Sequence, residues 1–395
     1  MKILFLSHRI PYPPTKGDKL RAFNIIKHLC KEHEIYLVSL YDDKKDKKYL
    51  PGLKQFCRES SFFYLNPWLA KIKGFFCLFF NQPVTLGYFY SRKMQRKVKD
   101  YIKTKSIDLI FVYSSSVAQY VMDQDLKKII DFVDCDSSKW KQYSAIAGFP
   151  LSFIYSREHR LLRDYEKRIA QAFDHSIVAT EGEKKEFAEF ISTEKFTAVA
   201  NGVDTGFFKP VFAPQEKKLI FTGAMDYFAN IDGIIYFCNE ILPLIRERIP
   251  EVKFYIVGSN PARSVRALSN GKDIFVTGFV EDIREYLKDD AICVIPLRVT
   301  QGIQNKVLEA MASGLSVVIT SKAVLGLKPQ ADKNVLVADN PQDFASKVIM
   351  LLEDGDLRRR LGELARKYVE ENYNWERNIS KLDEILKSMV KKYVI

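Results

Sequence analysis

Three ionisable residues stand close together in AICVIPLRVTQGIQNKVLEAMASGLSVVIT (residues 291–320): Arg298, Lys306 and Glu309. Two cations near a chain reversal can hold an anion such as a phosphate. A carboxylate one helical turn further on can accept hydrogen bonds from hydroxyl groups. A second acidic set, Asp134 and Asp136, lies in DFVDCDSSKW. A third candidate is the loop ending at Gly17, where Lys19 and Arg21 follow closely.

The flanking residues say which elements must carry these groups. Residues 291–297 form an apolar run of strand length, and residues 298–304 form a polar loop containing Gly302. Val307, Leu308, Met311 and Ala312 recur at helical spacing over 305–313. Gly314 stands where a helix needs a left-handed C-terminal residue, and 316–320 reads as another buried strand. A strand–loop–helix–strand unit with right-handed crossover puts the loop and the helix N-terminus at the carboxyl ends of parallel strands. Free N–H groups and the helix dipole make that corner an anion site. The same spacing also suits an ordinary βαβ unit with a solvated glutamate.

At the N-terminus, residues 2–7 form a buried strand. A proline-rich loop follows, then Gly17 and a helix capped at Asp18. Strands are expected at 34–40, 108–114, 128–134 and 175–180. That expectation puts Asp134 and Asp136 at the open end of a strand, where they meet substrate hydroxyls or cap the next segment. The helix expected at 152–172 presents Arg157, His159, Arg160 and Arg163 as a solvated face. Alternation starts afresh at 218–223, with the glycine loop 223–233, a helix to about 248, and strands at 253–258 and 274–278. This predicts a second parallel sheet covered by helices.

The 395 residues are ample for two domains, and 47% hydrophobic with 28% charged residues suits a globular protein. The six scattered cysteines form no Cys-x-x-Cys, and no histidine stands at metal spacing, which points to free thiols in a reducing compartment. Of the net charge of +12, +11 belongs to residues 1–200. A basic half suits nucleic acid, an anionic membrane face or an acidic substrate. No nucleic-acid motif accompanies it, so nucleic acid is not expected as a partner. Residues 62–99 interleave aromatics with Lys and Arg and contain no acid. Such a segment forms either core helices with basic outer faces or an interfacial surface touching an anionic membrane.

PLRVTQGIQNKVLEAMASGLSVV resembles the nucleotide-sugar motif of the family 4 (group 1) glycosyltransferases. The run Asn201-Gly-Val-Asp…Phe-x-Pro210 resembles that family's signature at the exit of its first domain. The resemblance implies an α/β GT-B fold, with two Rossmann-like domains whose parallel sheets face each other across a cleft. Residues 1–210 would bind the acceptor, residues 211–374 the donor, and a helix at 375–395 would cross back to the first domain. Glu309 takes the place of the glutamate that holds the donor ribose. Gln301 stands where a second glutamate usually contacts the donor sugar, with Gly302 and Ile303 beside it.

By the same resemblance, Gly17 and Gly223 approach the donor phosphates, and Phe279 and Val280 fall where the base is held. The family's basic pair after the first strand of its second domain is missing, since no Lys or Arg occurs between Lys218 and Arg246. Arg298 and Lys306 substitute for it. The family's histidine is also missing near Asp134 and Asp136, which take its place as catalytic candidates. The implied activity is metal-independent, retaining glycosyl transfer without a cofactor, from a nucleotide-diphosphate sugar to a glycan or polyprenyl-linked acceptor. Polysaccharide biosynthesis is the expected setting, in the cytoplasm and on the inner membrane face. The rival readings are a sugar-nucleotide epimerase on the same fold and a catalytically silent member of a polysaccharide assembly complex.

Overall fold

The computed structural model describes residues 1–14, 17–211, 216–288, 291–300, 302–327 and 333–390. The chain divides into two units, Met1–Ala200 with Ile379–Ile395, and Asn201–Asn378.

The first unit is built on seven parallel strands: β1 (Lys2–Ser7), β2 (Glu34–Tyr41), β3 (Glu59–Tyr64), β4 (Leu109–Tyr113), β5 (Lys127–Asp131), β6 (His175–Val178) and β7 (Phe196–Ala198). Their order across the sheet is β3-β2-β1-β4-β5-β6-β7, so the direction of winding across the parallel sheet reverses between β1 and β4. The central strand β4, LIFVY, is an uninterrupted apolar run buried along its whole length, as a strand covered on both faces must be. Strand β3 was not expected, since its aromatic residues lie inside a segment that reads as helical or interfacial. His28 Nε2 lies 2.9 Å from Asp383 Oδ1, fastening the C-terminal helix Lys381–Val390 to this unit.

The second unit repeats the plan with β8 (Lys218–Thr222), β9 (Lys253–Val257), β10 (Ile274–Gly278), β11 (Ala291–Ile295), β12 (Ser316–Ile319) and β13 (Leu336–Val337), in the order β10-β9-β8-β11-β12-β13. Strand β13, two residues long, was not anticipated either. The continuous helix Phe228–Arg248 has 21 residues and is apolar enough to cross a membrane. Its Ile234, Phe237, Ile241 and Ile245 are fully buried in the unit, so it is a core helix. Residues 201–210 also belong here: Val203 N donates to Tyr373 O at 2.8 Å, and a Cβ on Gly202 would sit 2.5 Å from Trp375 N.

Several surface expectations are corrected. The Arg157 guanidinium binds the carbonyls of Cys77 (2.9 Å), Gln82 (3.3 Å) and Phe80. His159 Nδ1 lies 2.8 Å from Ser137 O, and the Arg163 guanidinium lies 4.6 Å from the Phe190 ring. Arg157, His159 and Arg163 on the helix Leu151–Ala172 therefore serve as packing contacts, while Arg160 is exposed as expected. The expected end of the strand at 128–134 is also too long. It stops at Asp131, Asp134 lies in the following bend, and Asp136 is the first residue of the helix Asp136–Ile146.

Candidate functional site

In the second sheet the topological switch falls between β8 and β11, where Ala291 pairs with Lys218 and Cys293 with Ile220. Ligands of open parallel sheets bind at such a point, outside the carboxyl ends of the strands. The loop after β8 and the loop after β11 meet there. A Cβ on Gly223 would lie 2.8 Å from Asn230 Nδ2 and 3.2 Å from Lys306 Nζ. Glycine is what lets the backbone pass so close to both side chains.

The β11 loop ends in the helix Asn305–Ala312, which buries Val307, Leu308, Ala310, Met311 and Ala312. Gly314, at φ 75°, terminates it in the left-handed region, as its position in the sequence predicts. At the other end the N-cap, Gln304, makes no side-chain bond to the first turn. Gln304 Nε2 instead donates to Thr300 Oγ1 at 2.7 Å. Gly302 has φ 63°, and its carbonyl oxygen lies 2.7 Å from where a Cβ on Gly326 would be. Asn201, from the Asn-Gly run, donates through Nδ2 to Asn305 Oδ1 at 3.0 Å.

Lys306 Nζ donates to Asn230 Oδ1 at 2.5 Å and lies 4.4 Å from the centre of the Phe221 ring. The half-buried ammonium is shifted down to about 7, because removal from solvent outweighs the favourable fields of Cys293 and Glu309. Glu309, one turn along, is pushed up to about 7 by burial, against the opposing field of Lys306. The two groups thus sit near the midpoint of titration at neutral pH. An arriving anion would restore the lysine's full charge.

Arg298 behaves otherwise. Its guanidinium grips Asp232 with two bonds, Nε–Oδ2 at 3.0 Å and Nη2–Oδ1 at 2.5 Å, and lies 4.8 Å from the Tyr236 ring. The bond to Asp232 holds its pKa above the usual arginine value. Arg298 therefore anchors the loop to the helix Phe228–Tyr236, and Lys306 is the cation at the glycine corner.

The remaining candidates are spread more widely. Phe279 is exposed and Val280 half-buried; both follow Gly278, at φ 72°, at the carboxyl end of β10. Gly258 N donates to Gly278 O at 3.2 Å, and a Cβ on Gly258 would lie 1.6 Å from Gly223 O. The ends of β8, β9 and β10 are thus joined through glycine backbone. Ile303 is half-buried, and Gln301 lies outside the described residues.

In the first unit, Gly17 is the exposed first residue of the helix Gly17–Leu29, not part of the loop before it. The cations after it are engaged. Lys19 Nζ donates to Asp46 Oδ2 at 2.7 Å. Arg21 is buried, with Nε donating to Asp131 Oδ2 and Nη1 to Val199 O, both at 2.8 Å. Asp136 accepts from Ser115 Oγ at 2.8 Å and from Lys139 Nζ at 2.5 Å. Burial raises its pKa, but Lys139, Ser115 and the nearby His8 together hold it below the usual carboxylate range. His8 stacks on Tyr113 at 6.1 Å, so β1, β4 and the segment after β5 all contribute to this carboxylate's surroundings. Asp134 adds a negative field at buried Glu183.

Sequence reasoning missed Asn230, Ser115 and Lys139. Asn230 carried one usable signal, an amide in the apolar run FANIDGIIY directly after a glycine loop. Among the described residues, no group of three or more His, Cys, Asp or Glu is placed to hold a metal ion.

Residues 216–354 match the family model described as glycosyl transferases group 1. That match lies within the second unit. Over nearly the whole chain, the sequence is 20% identical to an uncharacterised 44.6 kDa protein in the cps region of Klebsiella pneumoniae, covering 96% of this chain and 98% of that one. Sucrose-phosphate synthase from Thermosynechococcus elongatus superposes with TM-score 0.74 at 17% identity, covering 99% and 100% of the two chains. HepE of Anabaena, solved in complex with UDP, gives TM-score 0.69 at 15% identity, covering 98% and 100%. These matches show the GT-B fold, with its two Rossmann-like halves. The corner of Gly223, Asn230, Lys306 and Glu309 lies inside the matched span.

Proposed function

We propose that this glycosyltransferase retains anomeric configuration, moving a sugar from a nucleoside-diphosphate sugar to a glycan or lipid-linked acceptor during polysaccharide assembly in the cytoplasm. The observation that carries the reading is Lys306, held by Asn230 against the Gly223 backbone at the switch point, with Glu309 one turn away. A diphosphate seated there meets one ammonium and the uncapped N–H groups of the helix Asn305–Ala312. Glu309 accepts from ribose hydroxyls. The cps-region relative and the UDP-bound structural neighbour support the choice of donor and setting.

In the reaction, the bond from the anomeric carbon to the diphosphate oxygen breaks as the bond to the acceptor oxygen forms on the same face. The acceptor's proton passes to the departing phosphate oxygen. Charge grows on the diphosphate as the sugar becomes oxocarbenium-like, so donors aimed at the diphosphate lower the barrier. Lys306 and the loop N–H groups supply that charge, and turnover is expected to persist in chelator. Asp136, with Ser115 and Lys139, is the acceptor-side candidate in the first unit, with Asp134 close to it in sequence.

A panel of nucleotide-sugars in a thermal-shift assay tests the donor. A true donor at 100 times its dissociation constant raises apparent stability by about 2.7 kcal/mol. No shift with any nucleotide-sugar would remove the donor assignment. A silent binding protein draws support from the engagement of Arg298 by Asp232, and slow hydrolysis of a bound donor would exclude it. An epimerase would convert the donor with no acceptor present.

A further inference from the structure

We propose that the first unit docks on an anionic lipid surface through one continuous apolar face, formed by residues 67–80 and the tip of the helical hairpin 136–172. The decisive feature is the inverted helix Pro67–Phe76. Its buried stripe consists of small residues, Ala70 and Gly74, continued by Cys77. Its large apolar side chains face outward instead: Trp68 is 78% exposed, Phe79 just beyond the helix 70%, and Leu69, Ile72, Phe75 and Phe76 are exposed as well. An amphipathic helix in water does the reverse.

This outward display is fixed by packing. A Cβ on Gly74 would lie 3.0 Å from Val84 Cγ1, and one on Gly87 would lie 2.4 Å from Cys77 Sγ. The helix Val84–Tyr88 is in turn held by buried Glu158, which accepts from Val84 N (2.7 Å), Thr85 N (2.8 Å) and Thr85 Oγ1 (2.7 Å). Rotating the aromatic face inward would require larger atoms where only small ones fit.

The second part of the face is the turn between the helices Asp136–Ile146 and Leu151–Ala172. There Phe149 is 88% exposed and Phe153 is 69% exposed, with Ile146 and Leu151 beside them. Arg157, one turn beyond Phe153, binds the carbonyls of Cys77, Phe80 and Gln82. It therefore joins the hairpin tip to the end of the inverted helix. Exposed apolar surface on this scale marks a binding face.

Charge decides the occupant. No acidic residue occurs between Glu59 and Asp100, or from Ser137 to Arg157. Lys71 and Lys73 are exposed on the inverted helix, and Arg92, Lys93, Arg96 and Lys99 on the helix Arg92–Thr104. Rings of interfacial type, carried by segments that hold many cations and few carboxylates, complement a headgroup layer carrying negative charge. The chain lies on such a surface, and none of this face crosses it.

Flotation of the full chain with vesicles tests the proposal, comparing phosphatidylglycerol–phosphatidylcholine mixtures with phosphatidylcholine alone. The parent protein should float with the anionic vesicles and lose partitioning in about 0.5 M salt. Phe79→Ser with Phe149→Ser should lower partitioning by roughly tenfold for each ring. Lys71→Glu with Arg96→Glu should lower it by at least about fivefold per residue. All four side chains are exposed, so unchanged thermal transitions will show that the variants are folded. A parent that stays with the lipid-free fraction at low salt would overturn the proposal, as would variants that float like the parent. Self-association by sedimentation that the ring variants abolish would assign the face to a second copy and overturn it equally.

Discussion

Replacing Lys306 by methionine keeps the length of the side chain and removes its charge. The ammonium is bonded to Asn230 Oδ1 and feels the fields of Glu309 on its own helix and of Cys293 on β11. Both Lys306 and Glu309 titrate near 7, so the pair passes from a charge of +1 well below that pH to −1 well above it. The sign follows directly. A diphosphate binds the protonated lysine better, so binding above pH 7 requires uptake of a proton. Affinity should be flat below about pH 6.5 and then weaken by up to about tenfold per pH unit. Losing a charge-assisted contact that strengthens in the transition state costs about 2–4 kcal/mol, so kcat/KM should fall by roughly 30- to 1,000-fold. Calorimetric titration of UDP-sugars across pH 6 to 9, on the parent and on Lys306→Met, measures the affinity and its pH slope, and steady-state kinetics on the same two proteins measure kcat/KM. The variant should lose most of the pH slope as well as the affinity. A variant with parental affinity and an unchanged pH slope would refute the placement of the diphosphate at this lysine.

Gly223→Ala should displace Asn230 and Lys306, lowering donor affinity at least tenfold, and should lower the thermal midpoint too because φ here is 152°; unchanged affinity in the folded variant would show that the corner is not used. Arg298→Ala should reduce kcat/KM less than Lys306→Met does, because Arg298 already serves Asp232; kinetics on the two variants side by side decide the order. Asp131→Asn leaves Arg21 buried with its partner charge removed, and should destabilise the first unit by about 3–5 kcal/mol in urea unfolding. Glu158→Ala removes three hydrogen bonds to Val84 and Thr85, and should speed amide exchange across Val84–Tyr88 before global unfolding.

The site was legible where its determinants are local. Strand β11, the loop with Gly302, the helix Asn305–Ala312 and Gly314 are consecutive, and each follows from periodicity or from a conformation glycine favours. Asn230 was not legible, because its partner lies 76 residues away and only the sheet order brings β8 beside β11. Arg21 was misread for a related reason. A cation near a glycine loop suggests a phosphate, yet its carboxylate partner is 110 residues distant at the end of β5. Arg298 was placed in the correct loop, but its ion pair with Asp232 was not foreseen, since Asp232 sits on a helix whose facing is set by tertiary packing. In the segment 62–99 the aromatic content hid β3, whose first residues take their register from Tyr36 and Leu37 of β2.

The contact of Gly258 with Gly223 and Gly278 has a wider implication. Three neighbouring strand ends touch there through glycine main chain, so at these positions no side chain can be varied. Any residue but glycine at 258 would push β8 and β9 apart. Drift in ligand preference must therefore be written around the rim, at residues such as Phe279, while the floor stays the same.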